Sequence, residues 1–141
     1  MIVKDEADFL AGCLDNIRTL VEEIILVDTG STDNTVEVGR RFGATVVSFP
    51  WQNDFSKARN FSLEHASMDW ILVLDADERI SPRDHQTLLD LIRDDLYWGY
   101  SLEQRTYGHD PSFQDWVTTT GSYEEALGYP GYVCSPLVRL F

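Results

Sequence analysis

Trp70-Ile71-Leu72-Val73-Leu74-Asp75-Ala76-Asp77-Glu78 is the stretch on which the fold turns. An unbroken apolar run, rich in Ile, Leu and Val, leads straight into a cluster of carboxylates. Such a run predicts a strand buried on both faces. Packing gives no reason for it to end in Asp-x-Asp-Glu, because unpaired carboxylates leaving a core are costly. In open α/β sheets, ligands bind at the carboxyl ends of the strands, and side chains at i and i+2 share one face. Asp75 and Asp77 are therefore expected to converge on one cation, and hard oxygen ligands suit Mg²⁺ or Mn²⁺. The plainer alternative is that these acids are solvated turn formers or a helix-entry signal.

Working outward, the same design recurs upstream. Glu23-Ile24-Ile25-Leu26-Val27-Asp28 reads as a second buried strand ending in a carboxylate, Thr45–Phe49 as a third, and Met1–Lys4 as the tail of a first. Between them lie helical patterns. Acidic Asp5, Glu6 and Asp8 open the first helix, and Leu10, Cys13, Leu14, Ile17, Leu20 and Val21 mark its buried face. Asp33 or Asn34 is the expected N-cap of a helix from Thr35 to Phe42, stopped by Gly43. A third helix spans about Phe55 to His65, with Ala58, Phe61, Leu63 and Ala66 as packing residues. A fourth starts at Ser81-Pro82 and packs Leu88, Leu89, Leu91 and Ile92. The order β-α-β-α-β-α-β-α predicts a parallel sheet with helices on both faces.

From Tyr97 the pattern changes. Tyr97–Tyr107 suits a strand, while 109–131 has no clear period and reads as a long loop or two irregular strands. Tyr132–Cys134 and Leu137–Phe141 are apolar again, and a final Leu-Phe with nothing to cover it points to truncation, or to a homodimer or companion domain over that end.

With 141 residues, 43% of them hydrophobic and 25% charged, the chain is expected to form one globular domain. A net charge of -13 argues against nucleic acid as a partner. It also means that a phosphorylated ligand would need a divalent cation and a few local bases. The two cysteines, Cys13 and Cys134, lack zinc-site spacing, and Cys13 is expected to be a buried core thiol. No apolar stretch is long enough for a transmembrane segment and no signal peptide precedes the fold, so a cytoplasmic location is the default expectation.

Chemistry collects at the strand ends. If the second and fourth strands are neighbours, Asp28, Asp75 and Asp77 share one rim. Asp28 precedes Thr29-Gly30, where glycine lets backbone approach a ligand closely; it could accept hydrogen bonds from a ribose or a base, or simply cap its own turn. Neither Gly-x-Gly-x-x-Gly nor a P-loop is present. Phosphates would instead meet the cation, Lys57 and Arg59 beside Asn60, at the start of a helix whose N-terminus adds partial positive charge.

Met-Ile-Val-Lys-Asp-Glu (1–6), Glu-Ile-Ile-Leu-Val-Asp-Thr-Gly-Ser-Thr-Asp-Asn-Thr (23–35), Phe-Pro-Trp (49–51), Asp-Phe-Ser-Lys-Ala-Arg-Asn (54–60) and Asp-Trp-Ile-Leu-Val-Leu-Asp-Ala-Asp-Glu (69–78) together resemble family 2 glycosyltransferases of the GT-A fold. The resemblance covers about the first 80 residues. It implies a Rossmann-like, mostly parallel α/β sheet with an irregular C-terminal part. It divides the domain into a nucleotide-sugar-binding half, 1–96, and a partial acceptor half, 97–141. It implies transfer of a sugar from a nucleotide-diphosphate sugar, most readily a UDP-sugar, to an unknown acceptor, with inversion at the anomeric centre. By the same resemblance Asp28 contacts the base or ribose, with Asp33 in a supporting role. Lys57, Arg59 and Asn60 face the nucleotide or its diphosphate. Asp77 binds Mn²⁺ or Mg²⁺, and Asp75 the ribose or the metal.

Family members use a carboxylate base on the acceptor, normally carried after the variable region, where an Arg-Leu-Phe segment leads to a stretch ending in His-Glu. Here Arg139-Leu140-Phe141 closes the sequence, so the base is expected to be absent from it. Asp110, Asp115, Glu124 and Glu125 read as solvated loop acids and His109 as a surface histidine. Three rivals remain. A haloacid-dehalogenase-type phosphatase would carry Asp-x-Asp near its start, and a receiver-like signalling domain would end its third strand in Asp. A degenerate module would bind nucleotide without turnover.

Overall fold

Ile25-Leu26-Val27-Asp28 forms β2, the middle of a three-stranded parallel sheet in the order β1-β2-β3. β1 is Ile2–Val3 and β3 is Thr45–Ser48; Val3 stands opposite Asp28, and Asp28 opposite Ser48. The computed structural model describes residues 1–93 and 96–141, in two compact units, Met1–Arg93 and Asp94–Phe141. Asp94 and Asp95, within the half expected over 1–96, lie outside the described residues.

Parallel strands need crossovers, and helices supply them. α1 (Ala7–Ile17) joins β1 to β2, and α2 (Thr35–Arg41) joins β2 to β3. α1 buries Leu10, Cys13, Leu14 and Ile17, as its period predicts. Leu10, Leu14 and Ile17 meet Val3, Leu26, Leu74 and Ala76 in one core, with Val21 and Val38 packed against it. Gly39 lets α2 lie close on the sheet, since a Cβ there would come within 2.4 Å of Leu26 Cδ1. Gly43, at φ +80°, takes the left-handed conformation that ends the helix. Alternation turns Val27 away from Leu26, and Val27 is also fully buried. α3 (Phe55–Glu64) packs on β1 and β2 and buries Ala58 and Ser62. The expected α/β arrangement with a parallel sheet is present.

The opening stretch departs from expectation. Val73 and Leu74 are buried as predicted and Ala76 is buried too, but Trp70, Ile71 and Leu72 are only half-buried. Within this stretch Leu72 alone makes a sheet bridge, and among the described residues the stretch adds no fourth strand to the parallel sheet. Hydrophobicity reports burial, whereas a ladder also needs a free edge of some length, and β1 contributes only two residues to the sheet. A 3-10 turn at Pro82–Asp84 then leads into α4 (His85–Leu91), with Leu88 buried and proline in the first turn as expected; Ser81 makes no side-chain cap bond.

The second unit is more regular than its sequence implies. β4 (Tyr100–Gly108), β5 (Trp116–Thr118) and β6 (Gly131–Leu140) form an antiparallel sheet in the order β4-β6-β5. The segment expected as loop or irregular strands thus contains β5 and a 3-10 turn at Glu124–Ala126. The two C-terminal apolar pieces are one strand running through Pro136. β5 pairs only with Gly131–Val133, so Pro136 is flanked on one side alone, where a missing N–H is tolerated. Arg105 sits 4.3 Å from the Tyr123 ring centroid and 4.7 Å from that of Tyr132, its Nε donating to Glu103.

Candidate functional site

β2 delivers Asp28 to the carboxyl edge of the sheet, where it is 8% exposed. Its carboxylate accepts from the Gly30 amide at 3.3 Å and the Ser31 amide at 3.0 Å. The turn-capping alternative is therefore realised, with Gly30 at φ +110° shaping the turn. A carboxylate offers about four acceptor directions, so two such bonds leave room for a ligand donor.

The loop after Asp28 is tied to the loop after β1. Thr29 donates from its amide and its hydroxyl to the Val3 carbonyl. Asp5, with φ at 55°, accepts at one oxygen from the Thr32 amide (2.6 Å), the Thr32 hydroxyl and the Asp33 amide. Asp33 accepts from the Thr35 amide and hydroxyl at one oxygen, and from the Ala7 amide at the other. Asn34 takes the N-cap position of α2 without a side-chain bond, while Asp33, one residue earlier, accepts from the first amide of α2 and from the first amide of α1. Both carboxyls are held below their ordinary range, Asp5 chiefly by the Thr32 amide and Asp33 chiefly by the Thr35 hydroxyl.

The acidic cluster sits in a turn, not on an extended strand. The Glu78 amide donates to the Asp75 carbonyl at 3.1 Å, and the Glu78 side chain accepts from the Asp75 amide at 2.8 Å. The i, i+2 rule for strands therefore does not set the directions of Asp75 and Asp77. α1 holds this turn from below. Asn16 exchanges two hydrogen bonds with the Ile80 backbone, and Cys13 Sγ donates to the Asp75 carbonyl. Burial pushes the Cys13 thiol up to about 11, which suits an inert core thiol.

The predicted bases divide. Arg59, on α3, approaches Asp75 at 3.6 Å and joins two of the stretches picked out in the sequence. Lys57 is exposed and donates its ammonium to the Gln52 side chain. Asn60 is exposed on the same helix. The expected helix N-terminus is present at Phe55, and Asp54 caps it by accepting from the Ser56 and Lys57 amides, which places a carboxylate at that end of α3.

Charge at the acidic turn is unbalanced. The Glu6 carboxyl is raised above its ordinary range, by burial first and then by the charges of Asp77, Asp33, Asp5 and Asp75. Asp77 is exposed and makes no hydrogen bond or ion pair among the described residues. No group of three or more acids, histidines or cysteines among the described residues is arranged to hold a metal alone. An accessible carboxylate beside a second one, in an excess of negative charge, fits a hard cation that completes its shell with water and phosphate oxygens. In the second unit, Asp110 is spent on the Ser112 amide and His109 is exposed, its ring 5.1 Å from Tyr129.

The sequence model for glycosyl transferase family 2 matches residues 1–132. The chain belongs to that family. A TPR repeat-containing protein of Synechococcus elongatus is 48% identical over 80 residues, which are 57% of this chain and 20% of that protein. An uncharacterized glycosyltransferase of Rickettsia felis is 37% identical over 81 residues, 57% of this chain and 28% of the relative. Among solved structures, the Mycobacterium tuberculosis glucosyl-3-phosphoglycerate synthase aligns with TM-score 0.50 and 29% identity, over 55% of this chain and 33% of that one. These matches thus cover between 20% and 33% of the related proteins. The family 2 resemblance read from the motifs is confirmed. The sequence reading missed Asp5, Glu6 and Asn16 as parts of the site's frame. Asn16 carried the only local signal, an amide side chain inside a helix, where such residues are disfavoured.

Proposed function

We propose that this family 2 chain carries the donor half of a metal-dependent glycosyltransferase that takes a sugar from a nucleotide-diphosphate sugar, a UDP-sugar in the first instance. The observation that carries the reading is the approach of Arg59 to Asp75. It joins the base of the 54–60 stretch to the acidic turn, and α1 links that turn to the Asp28 loop. Asn16 and Cys13 bond the 75–80 backbone, and Asp33 accepts from the Ala7 amide at the start of the same helix. A likeness to a protein named glucosyl-3-phosphoglycerate synthase supports a sugar-transfer reading.

On this reading Asp28 accepts from the base or ribose of the donor, and Asp75 from the ribose or the metal. Arg59, with Lys57 and Asn60, meets the diphosphate, where a guanidinium matches phosphate geometry. Asp77, with Asp75, would hold Mn²⁺ or Mg²⁺, which when bound stabilises charge on the departing nucleoside diphosphate. The acceptor oxygen attacks the anomeric carbon as its bond to the diphosphate oxygen breaks, with inversion, while a carboxylate base takes the acceptor proton. Residues 1–96 serve as the donor-binding half and 97–141 as part of the acceptor half. The described residues contain no helix long and apolar enough to cross a membrane.

Calorimetric titration of UDP with and without Mn²⁺, on the wild type and on Asp77→Ala, tests the reading. Saturable binding that needs the metal and disappears in the variant is expected. Silence towards UDP, GDP and dTDP alike would overturn it.

A further inference from the structure

We infer that Asp5 and Asp33 are positioning residues that latch the β1–α1 and β2–α2 loops into one rigid rim and so hold the Asp28 loop ready for the donor nucleotide. The inference rests on the donor-site reading above. The two loops exchange bonds in both directions. Asp5 reaches forward to Thr32 and Asp33, and its own amide donates to Ser31 Oγ. Asp33 reaches back to the Ala7 amide, and Thr35 Oγ1 accepts from the Glu6 amide at 2.7 Å. Asp28 grips Gly30 and Ser31 within the span so pinned. Asp5 pays backbone strain for its place, at φ 55°. Exposed loops ordinarily fluctuate; this one is fastened at both ends and in the middle.

The two carboxylates are not equivalent. Asp5 makes all its bonds through one oxygen, so Asp5→Asn keeps the acceptor, and asparagine tolerates the left-handed conformation. Asp33 uses both oxygens, one for Thr35 and one for Ala7. Asp33→Asn cannot serve both, because an amide has one acceptor oxygen. Apparent affinity falls with the fraction of molecules in the competent state, so a rim latched only a tenth of the time would bind about tenfold more weakly.

The test is amide hydrogen exchange of residues 29–34 in the free protein, together with titration of UDP and Mn²⁺, on the wild type, Asp5→Asn, Asp5→Ala and Asp33→Asn. Asp5→Asn, which keeps the acceptor but not its charge, is expected to lie closer to the wild type than Asp5→Ala in both. Asp5→Ala and Asp33→Asn are expected to exchange faster in the loop, with Leu26 and Val27 still protected, and to bind about tenfold more weakly or worse. Unchanged loop exchange in Asp33→Asn would overturn the latch. Faster exchange with unchanged UDP affinity would overturn its positioning role. A wild type that binds none of UDP, GDP and dTDP would overturn the donor-site reading instead, while the exchange arm still decides the latch.

Discussion

Arg59 and Asp75 form a partly exposed pair, with side chains 28% and 48% exposed. Such pairs contribute about 0–1 kcal/mol to stability, so Arg59→Ala is expected to melt close to the wild type. On the proposed donor site its UDP affinity should fall about tenfold or more, because a charge-assisted contact to phosphate would be lost. Acid stability follows from the frame. The depressed carboxyls of Asp5 and Asp33 add stability above their ordinary value of 3.8 that is lost as pH falls through their lower folded values. Glu6 has the opposite sign: its raised folded value costs stability at neutral pH, and the cost is relieved as pH falls towards 4.5. Melting temperature should therefore hold or rise slightly on approach to pH 4.5 and drop below pH 3.8, and Asp5→Asn should lose part of that drop. A melt series that falls steadily from neutral pH would contradict these signs. Asp28, Asp75 and Arg59 could be picked out as candidates because each stands at a recognisable place in a local pattern. Asp5 and Asn16 were not, since their partners lie 27 and 64 residues away in sequence.

Helices α1 and α2 offer a contrast at the scale of the element. A Cβ at Gly12 would meet Arg79 Nη2 at 2.5 Å, the tip of an exposed side chain that can swing aside. Gly12→Ala should then gain up to about 1 kcal/mol from helix propensity. At Gly39 the obstacles are Leu26 and Val46, and Leu26 is fully buried. Gly39→Ala should lose about 1–3 kcal/mol to overpacking despite the same propensity gain. Asn16→Leu should cost about 1–3 kcal/mol by leaving the Ile80 amide and carbonyl unpaired. Urea denaturation of the three variants checks the ranking. Elements were legible to the degree that one periodicity carried the information: α1 and β2 fell within the stretches that apolar spacing marked, although α1 stops at Ile17, short of Leu20 and Val21, and β2 starts only at Ile25. The 70–75 run kept its predicted burial only at Val73 and Leu74 and formed no ladder, because pairing depends on the neighbour's free edge. β5 was hidden because a three-residue strand leaves almost no period to read.

At the scale of the molecule, the net charge of -13 sets the terms for any phosphorylated ligand. Self-repulsion at the acidic turn should be relieved by a divalent cation more than by equal ionic strength of NaCl. Mn²⁺ with UDP is therefore expected to raise the melting temperature of the wild type but not of Asp77→Ala, by the linkage of binding to stability. The parallel α/β class was legible from strand–helix alternation, and the C-terminal sheet was not, because its pairings join segments about 30 residues apart that carry no shared pattern. The central claim is that the Asp28 loop and the 75–78 turn serve one donor site. Paramagnetic broadening of amide NMR signals by Mn²⁺ and UDP tests it most directly. With Mn²⁺ and UDP both present, signals of residues 28–33 and 75–79 are expected to be lost together, whereas Mn²⁺ alone should leave those of the Asp28 loop only partly broadened. Broadening confined to scattered surface acids such as Asp110 and Glu124, with both of these segments untouched, would contradict it.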